Sequence, residues 1–118
     1  MSTLKLGTIA TQDGTESTDV TNVVNGTAKA WVNFNGTGTV AIRRGFNVSS
    51  ITDNNVGNYT VNFTTAMPDI NYSGSFCGNG LVQIPVFYST TTTYVQVLYY
   101  NTAGSGVDNT LCVAAIFR

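Results

Sequence analysis

Histidine is absent from the 118-residue sequence, and the commonest general base and commonest metal ligand are absent with it. Hydrolases of the Ser-His-Asp or Cys-His type are thereby excluded. Charge is scarce as well: 9% of residues are charged and the net charge is −1. Five basic residues neutralise too few phosphates to supply the electrostatic affinity that nucleic-acid binding draws on, so no nucleic-acid partner is expected. Acidic side chains after residue 27 are limited to Asp53, Asp69 and Asp108, each beside Asn or Pro in a predicted turn, where Asp serves as a turn-former. That set gives no expectation of two carboxylates facing each other across a glycosidic bond. No apolar run approaches the roughly 20 residues of a membrane span, and Met1–Gly7 lacks the apolar core of an export signal. These absences predict no catalytic residue, no cofactor, no metal and no membrane insertion, in a chain assembled in a cytoplasm. Cys77 and Cys112 lie far apart inside strand-like patterns and are expected as buried free thiols, packing as small hydrophobes in preference to a disulfide.

What is present is 42% apolar residues in a background of Thr, Asn, Ser and Gly, a mixture that favours β-structure over disorder. Six Asn-x-Ser/Thr sequons, starting at Asn25, Asn35, Asn47, Asn58, Asn62 and Asn71, follow from that composition by chance. Residues 1–27 differ from the rest. Thr11 to Asp19 is polar, turn-forming and holds half of the acidic residues, so residues 1–27 read as an attachment arm with Leu4, Leu6 and Ile9 as its docking side chains. Asp13, Glu16 and Asp19 match no calcium-loop spacing and are better read as a solvated linker. Asp19 is placed to cap a short helix through Val20, Val23 and Val24 that stops at Asn25-Gly26, although three valines make an extended arm equally consistent.

From Ala28 onward the apolar period is two. Lys29–Phe34 and Thr39–Arg44 alternate around Asn35-Gly-Thr-Gly38, the pattern of a hairpin. Further strands are expected at Phe46–Ile51, Tyr59–Thr65, Ile70–Cys77, Leu81–Tyr88, Thr93–Tyr100 and Thr110–Phe117, with turn clusters such as Asp53–Gly57 and Asn101–Gly106 between them. The expected fold is all-β: an antiparallel β-sandwich, jelly-roll-like, of about seven or eight strands over residues 28–118, preceded by the extended arm.

Tyr59, Val61 and Phe63 alternate with Asn58, Thr60 and Asn62, one dry face and one wet. The last three strands are apolar on both faces. One domain of this size has one core, so the second face is expected to meet a symmetry mate through Phe87, Tyr94, Leu98, Tyr100 and Ile116; a sheet wrapped by the arm is the alternative. Trp31 and the later tyrosines are expected mainly in core or subunit contacts, with Tyr99 and Ser105, at the Gly104–Gly106 loop, meeting a receptor. Arg43 and Arg44 could grip an anion in bidentate fashion, but at a strand end before Gly45 they read better as solubility or intersubunit charges.

The stretch Ala28-Lys-Ala-Trp-Val-Asn-Phe-Asn-Gly-Thr-Gly-Thr-Val-Ala-Ile-Arg43, followed by Phe46–Asp53 and Asn58–Asp69, resembles a module that recurs at the ends of bacteriophage tail-fibre and related virion proteins. The likeness spans Ala28 to about Ser73, and Ser2–Gly14 is similar to the short start before such modules in small phage fibre proteins. The resemblance implies a trimeric, β-rich particle component with no catalytic motif. The expectation is therefore a virion tail-fibre or tail-tip adhesion module, assembled in the host cytoplasm. It would act by contact as a homotrimer, meeting other virion proteins through residues 1–27 and a host surface glycan or protein elsewhere. Two alternatives stand beside it: a capsid decoration or head-fibre protein docked by its arm, and a carbohydrate-binding module.

Overall fold

The computed structural model describes residues 1–80 and 83–118. The arm holds β1 (Thr8–Ala10), β2 (Ser17–Asp19) and α1 (Val20–Gly26). The sandwich follows as β3 (Ala30–Asn35), β4 (Ala41–Phe46), β5 (Val48–Asn55), β6 (Asn58–Phe63), β7 (Ser73–Gly78), β8 (Gln83–Thr90), β9 (Tyr94–Asn101) and β10 (Cys112–Phe117). Residues 81 and 82, the first two of the expected Leu81–Tyr88 strand, lie outside the described residues. Two four-stranded sheets form, ordered β4-β3-β10-β7 and β5-β6-β9-β8, and every pairing is antiparallel. The antiparallel β-sandwich read from the alternation is the fold.

Each sheet places its core-forming strands in the middle. Ala30, Val32 and Phe34 of β3 and Cys112, Ala114 and Ile116 of β10 face Tyr59, Val61 and Phe63 of β6 and Val95, Val97 and Tyr99 of β9. Each large side chain buried in this layer contributes about 1.5–3 kcal/mol of transfer free energy. The Phe34, Tyr59 and Tyr99 rings meet edge to face in succession, with centroids 5.3 and 6.1 Å apart. Along one side the sandwich is closed by Phe76 of β7 and Phe87 of β8, whose centroids lie 4.5 Å apart.

On the other side the chain crosses between sheets at Asn47, which adopts a positive φ of 55°. Asn tolerates that region better than most residues. Here its amide also ties the crossing together, donating to Lys29 O at 3.0 Å and Thr65 O at 3.1 Å and accepting Thr65 N at 2.7 Å.

Strand direction divides the molecule into two ends. β3 starts and β10 finishes at the arm end, where Lys29 N donates to Ile116 O at 2.7 Å. The turns β3–β4, β5–β6 and β9–β10 lie at the opposite, loop end.

Several local expectations need correction. Thr8–Ala10 pairs with Ser17–Asp19, so the polar segment is the turn of a small hairpin. Helix α1 forms, yet Asp19 makes no side-chain cap and no residue of the helix is buried. Asp53 lies within β5, and the tight turn is confined to Val56-Gly57, with φ +68° at Gly57. Gly45 is no strand end: β4 runs through it to Phe46. The arm protrudes. The radius of gyration is 17.0 Å and the long axis 52 Å, against about 13.5 Å expected for the radius of gyration of a compact chain of this length.

Candidate functional site

Register fixes what each sheet shows to solvent. On the outer face of β4-β3-β10-β7, Phe46 lies opposite Trp31, Trp31 opposite Ala115, and Ala115 opposite Ser75. The neighbouring rows add Val113 beside Cys77 and Phe117 beside Ser73. Phe46 is 56% exposed, Trp31 and Phe117 each 37%, while Val113 and Ala115 are half-buried. Three aromatic side chains and two aliphatic ones therefore form a continuous apolar strip that no element among the described residues covers. Cys77 belongs to this face and is exposed, which corrects the expectation of two buried thiols; Cys112 is buried beneath it.

A second apolar patch lies on the outer face of the other sheet, where β8 meets β9. Ile84 pairs with Tyr100 and Val86 with Leu98. Ile84 and Val86 are exposed, as is Tyr88 beyond them, and Tyr94 and Tyr100 are half-buried.

Of the five side chains expected at a subunit contact, Tyr94, Leu98 and Tyr100 are on this outer face, but Leu98 keeps only 6% exposure within its own chain. Ile116 requires correction, being 1% exposed in the core, while Phe87 packs on Phe76 but keeps 37% exposure. In strands apolar on both sides, alternation does not say which set faces in, and β10 took the opposite parity. Tyr99, expected at a receptor, is fully buried and its hydroxyl donates to Cys77 O at 3.3 Å. Ser105 is exposed in the β9–β10 loop, its N–H donating to Asn101 Oδ1 at 3.0 Å.

The β5–β6 side of the second sheet is different in kind. Asn62 Nδ2 donates to Ser50 Oγ at 3.1 Å and Thr52 Oγ1 at 3.0 Å. Asn54 Nδ2 donates to Thr60 Oγ1 at 2.8 Å, and Gln96 Nε2 donates to Asn58 Oδ1 at 2.8 Å. Amides and hydroxyls cover this face in a network that satisfies itself.

Beneath the loop end lies a polar plug. Tyr59 Oη donates to Asp108 Oδ1 at 2.6 Å, with Gly36 O a second acceptor 2.8 Å away, and Gly57 N donates to the same Asp108 oxygen at 2.8 Å. Asp108 is thus the anchor of a buried tyrosine, a role its turn-like neighbourhood in sequence did not show. A Cβ at Gly36 would come within 2.6 Å of Tyr59 Oη, so only glycine leaves room for the bond. Burial, helped by Asp108, raises the Tyr59 hydroxyl far above its ordinary pKa, and burial does the same to Tyr99. Burial pushes the Cys112 thiol up to about 11, which keeps it protonated and poorly nucleophilic near neutrality.

At the arm end a groove of about 580 Å³ opens between Lys29, Phe46, Ala66, Met67, Pro68 and Arg118. Its floor is apolar and its rim cationic. Lys29 Nζ donates to Val24 O of α1, while Arg118 Nε donates to Asp69 Oδ1 at 2.8 Å as part of an ion pair. That pairing holds the Asp69 carboxyl below its ordinary range. Arg43 and Arg44 are exposed on β4, with Arg43 reaching Asn33 Oδ1 at 3.4 Å. On the arm, Leu4, Leu6 and Ile9 are all exposed. The groove residues were not singled out in the sequence, because the topology alone gathers positions 29, 46, 66–68 and 118.

Comparison of the chain with protein-family models, with curated proteins and with solved structures finds no match.

Proposed function

We propose that the chain is a structural, non-enzymatic module of a bacteriophage particle, a tail-fibre or tail-tip adhesion module that works by contact as a homotrimer. The observation that carries this reading is the uncovered strip of Phe46, Trp31, Val113, Ala115 and Phe117 on the outer face of β4-β3-β10-β7. Contiguous exposed apolar surface on a small domain marks an interaction site. The strip and the Ile84–Val86 patch are different surfaces on different sheets. A contact that joins one to the other is head-to-tail, and head-to-tail contacts close into rings when the rotation permits. A threefold ring is the smallest such closure beyond a pair. The resemblance of Ala28 to Ser73 to virion fibre modules supports the setting, which is the virion after assembly in the host cytoplasm. The protruding arm attaches the domain to its neighbours in the particle, and the loop end is left to meet a host glycan or protein.

The test is the mass of the full chain in solution at micromolar concentration, expected at three times the 12.5 kDa of one chain. A monomer at that concentration overturns the reading. The exposed arm also favours a second reading, a capsid decoration or head-fibre protein docked by residues 1–27. Electron microscopy of labelled particles separates the two, showing copies confined to the tail or distributed over the head.

A further inference from the structure

We infer that the groove at the arm end of the sandwich binds a free single-chain alkyl carboxylate, its hydrocarbon on the apolar floor and its carboxylate between Lys29 and Arg118. The site lies within one chain and goes beyond the subunit reading above, on which it does not depend.

The floor selects the body of the ligand. Phe46, Ala66, Met67 and Pro68 carry no hydrogen-bonding side chain. Met67 is 5% exposed and belongs to the core, so the floor continues the packed interior, whereas Phe46, Ala66 and Pro68 leave apolar area open to water. Such a wall offers no directional partner to a sugar or a base and gains from contact with hydrocarbon, to which an unbranched thioether adapts. A volume of about 580 Å³ lies within the range of small-molecule sites.

The rim selects the head. Of the nine described residues that line the groove, Lys29 and Arg118 are cationic and none is acidic. Lys29 Nζ donates to Val24 O, a neutral acceptor, and has no acidic partner among the described residues, so its charge and its other N–H donors stay available. Arg118 gives Nε and Nη2 to Asp69, which leaves Nη1 without a partner among the described residues. Lys29, Arg118 and Asp69 together carry one net positive charge. A head with a single negative charge is the complement, and a carboxylate suits these donors.

The groove is built before any ligand arrives. Asn47 ties the backbones of Lys29 and Thr65 through its amide, its own carbonyl accepts Thr64 N at 3.1 Å, and Met67 N donates to Thr92 O at 2.7 Å. With both walls fixed, binding requires little ordering of the protein.

The test uses the full chain, isotope-labelled at the methionine methyls, with decanoate below its micelle concentration as the probe. The chain has two methionines, so Met67 reports on the groove and Met1 serves as the control. The Met67 methyl is expected to shift saturably at one ligand per chain while Met1 stays in place. Decanol, the same hydrocarbon without the charge, should bind about tenfold more weakly, and Lys29→Gln should weaken decanoate by about the same factor without affecting decanol. Ala66→Trp, at an exposed position outside the strands, should fill the groove and abolish the Met67 shift. Equal binding of decanoate and decanol overturns the inference. So does saturation that leaves Met67 unmoved or persists in Ala66→Trp, which would put the amphiphile on the Trp31–Phe46 strip. A Met67 methyl that moves with protein concentration alone would show a second copy in the groove and overturn the small-molecule occupant. Should Ala66→Trp fail to fold, Lys29→Gln and the decanol comparison decide the matter.

Discussion

The outer faces of the two sheets follow the same strand geometry and differ in what they ask of their surroundings. On β5, β6 and β9, Asn62, Asn54, Gln96, Thr60 and Thr52 pair among themselves, so water and neighbouring side chains satisfy the surface. On β3, β4 and β10, Trp31, Phe46 and Phe117 leave apolar area in water. A self-satisfied polar face gains little from a partner. An apolar face of three aromatics, still 37–56% exposed, gains about 0.5–1.5 kcal/mol for each side chain whose remaining exposure a partner buries. The β4-β3-β10-β7 face is therefore the one with more to gain from a partner than the β5–β6 side, even though both sheets contribute to the core.

The largest effect should come from Trp31→Glu combined with Phe46→Glu. Two central aromatic contacts of about 1 kcal/mol each correspond to association weakened at least about thirtyfold, more with the charges that glutamate buries, read by analytical ultracentrifugation as a shift from oligomer towards monomer. Retention of the oligomer by the double variant would show that the strip is not part of the interface. The same face gives a chemical readout. Cys77 should react slowly with a thiol reagent in the assembled protein and at least about tenfold faster in the dissociated double variant, because burial controls thiol access. Cys112, buried and with its thiol pushed up to about 11, should react only after denaturation in either case.

Beneath both faces, Tyr59→Phe removes the donor to Asp108 and should lower unfolding free energy by about 1–2 kcal/mol in a denaturant titration, without changing subunit number. On the polar face, Asn62→Ala should cost no more than about 0.5 kcal/mol and leave the mass unchanged. A loss of assembly there would show that the polar face is also an interface. The smallest effect concerns Asp69. Its folded pKa is depressed by Arg118, so its contribution is complete above the ordinary value of 3.8 and is lost as pH falls through the lowered folded value. A carboxyl-carbon NMR titration should place its midpoint below 3.8, and Arg118→Gln should move it back up.

Strand positions were legible to within one or two residues because alternation is a local signal: the hairpin expected at 29–34 and 39–44 forms at 30–35 and 41–46, and Tyr59, Val61 and Phe63 make the dry face expected of them. Facing was illegible wherever both sets of side chains were apolar. Ile116 and Phe117, or Val86 and Phe87, are equally suited to a core, and only packing against the opposite sheet decided between them. Asp108 looked like a turn-former because the tyrosine it anchors lies 49 residues away in sequence. The arm-end groove has no sequence signature for the same reason. The β1–β2 hairpin had a weak one, the strand-prone Thr8-Ile9-Ala10 before a turn with φ +71° at Gly14, which the polar run around it obscured.

The adjacency of the first and last sandwich strands has a mechanical consequence. Tension applied between the two ends of the sandwich chain would start at the Lys29–Ile116 bond and unzip β3 from β10 one ladder bond after another, a path of low resistance. Pulling on the far turns while the arm is held runs along the strands instead, loading the rungs of β3 and β10 simultaneously in shear. A domain wired this way resists a tug delivered at its distal turns far better than one that separates its own two ends.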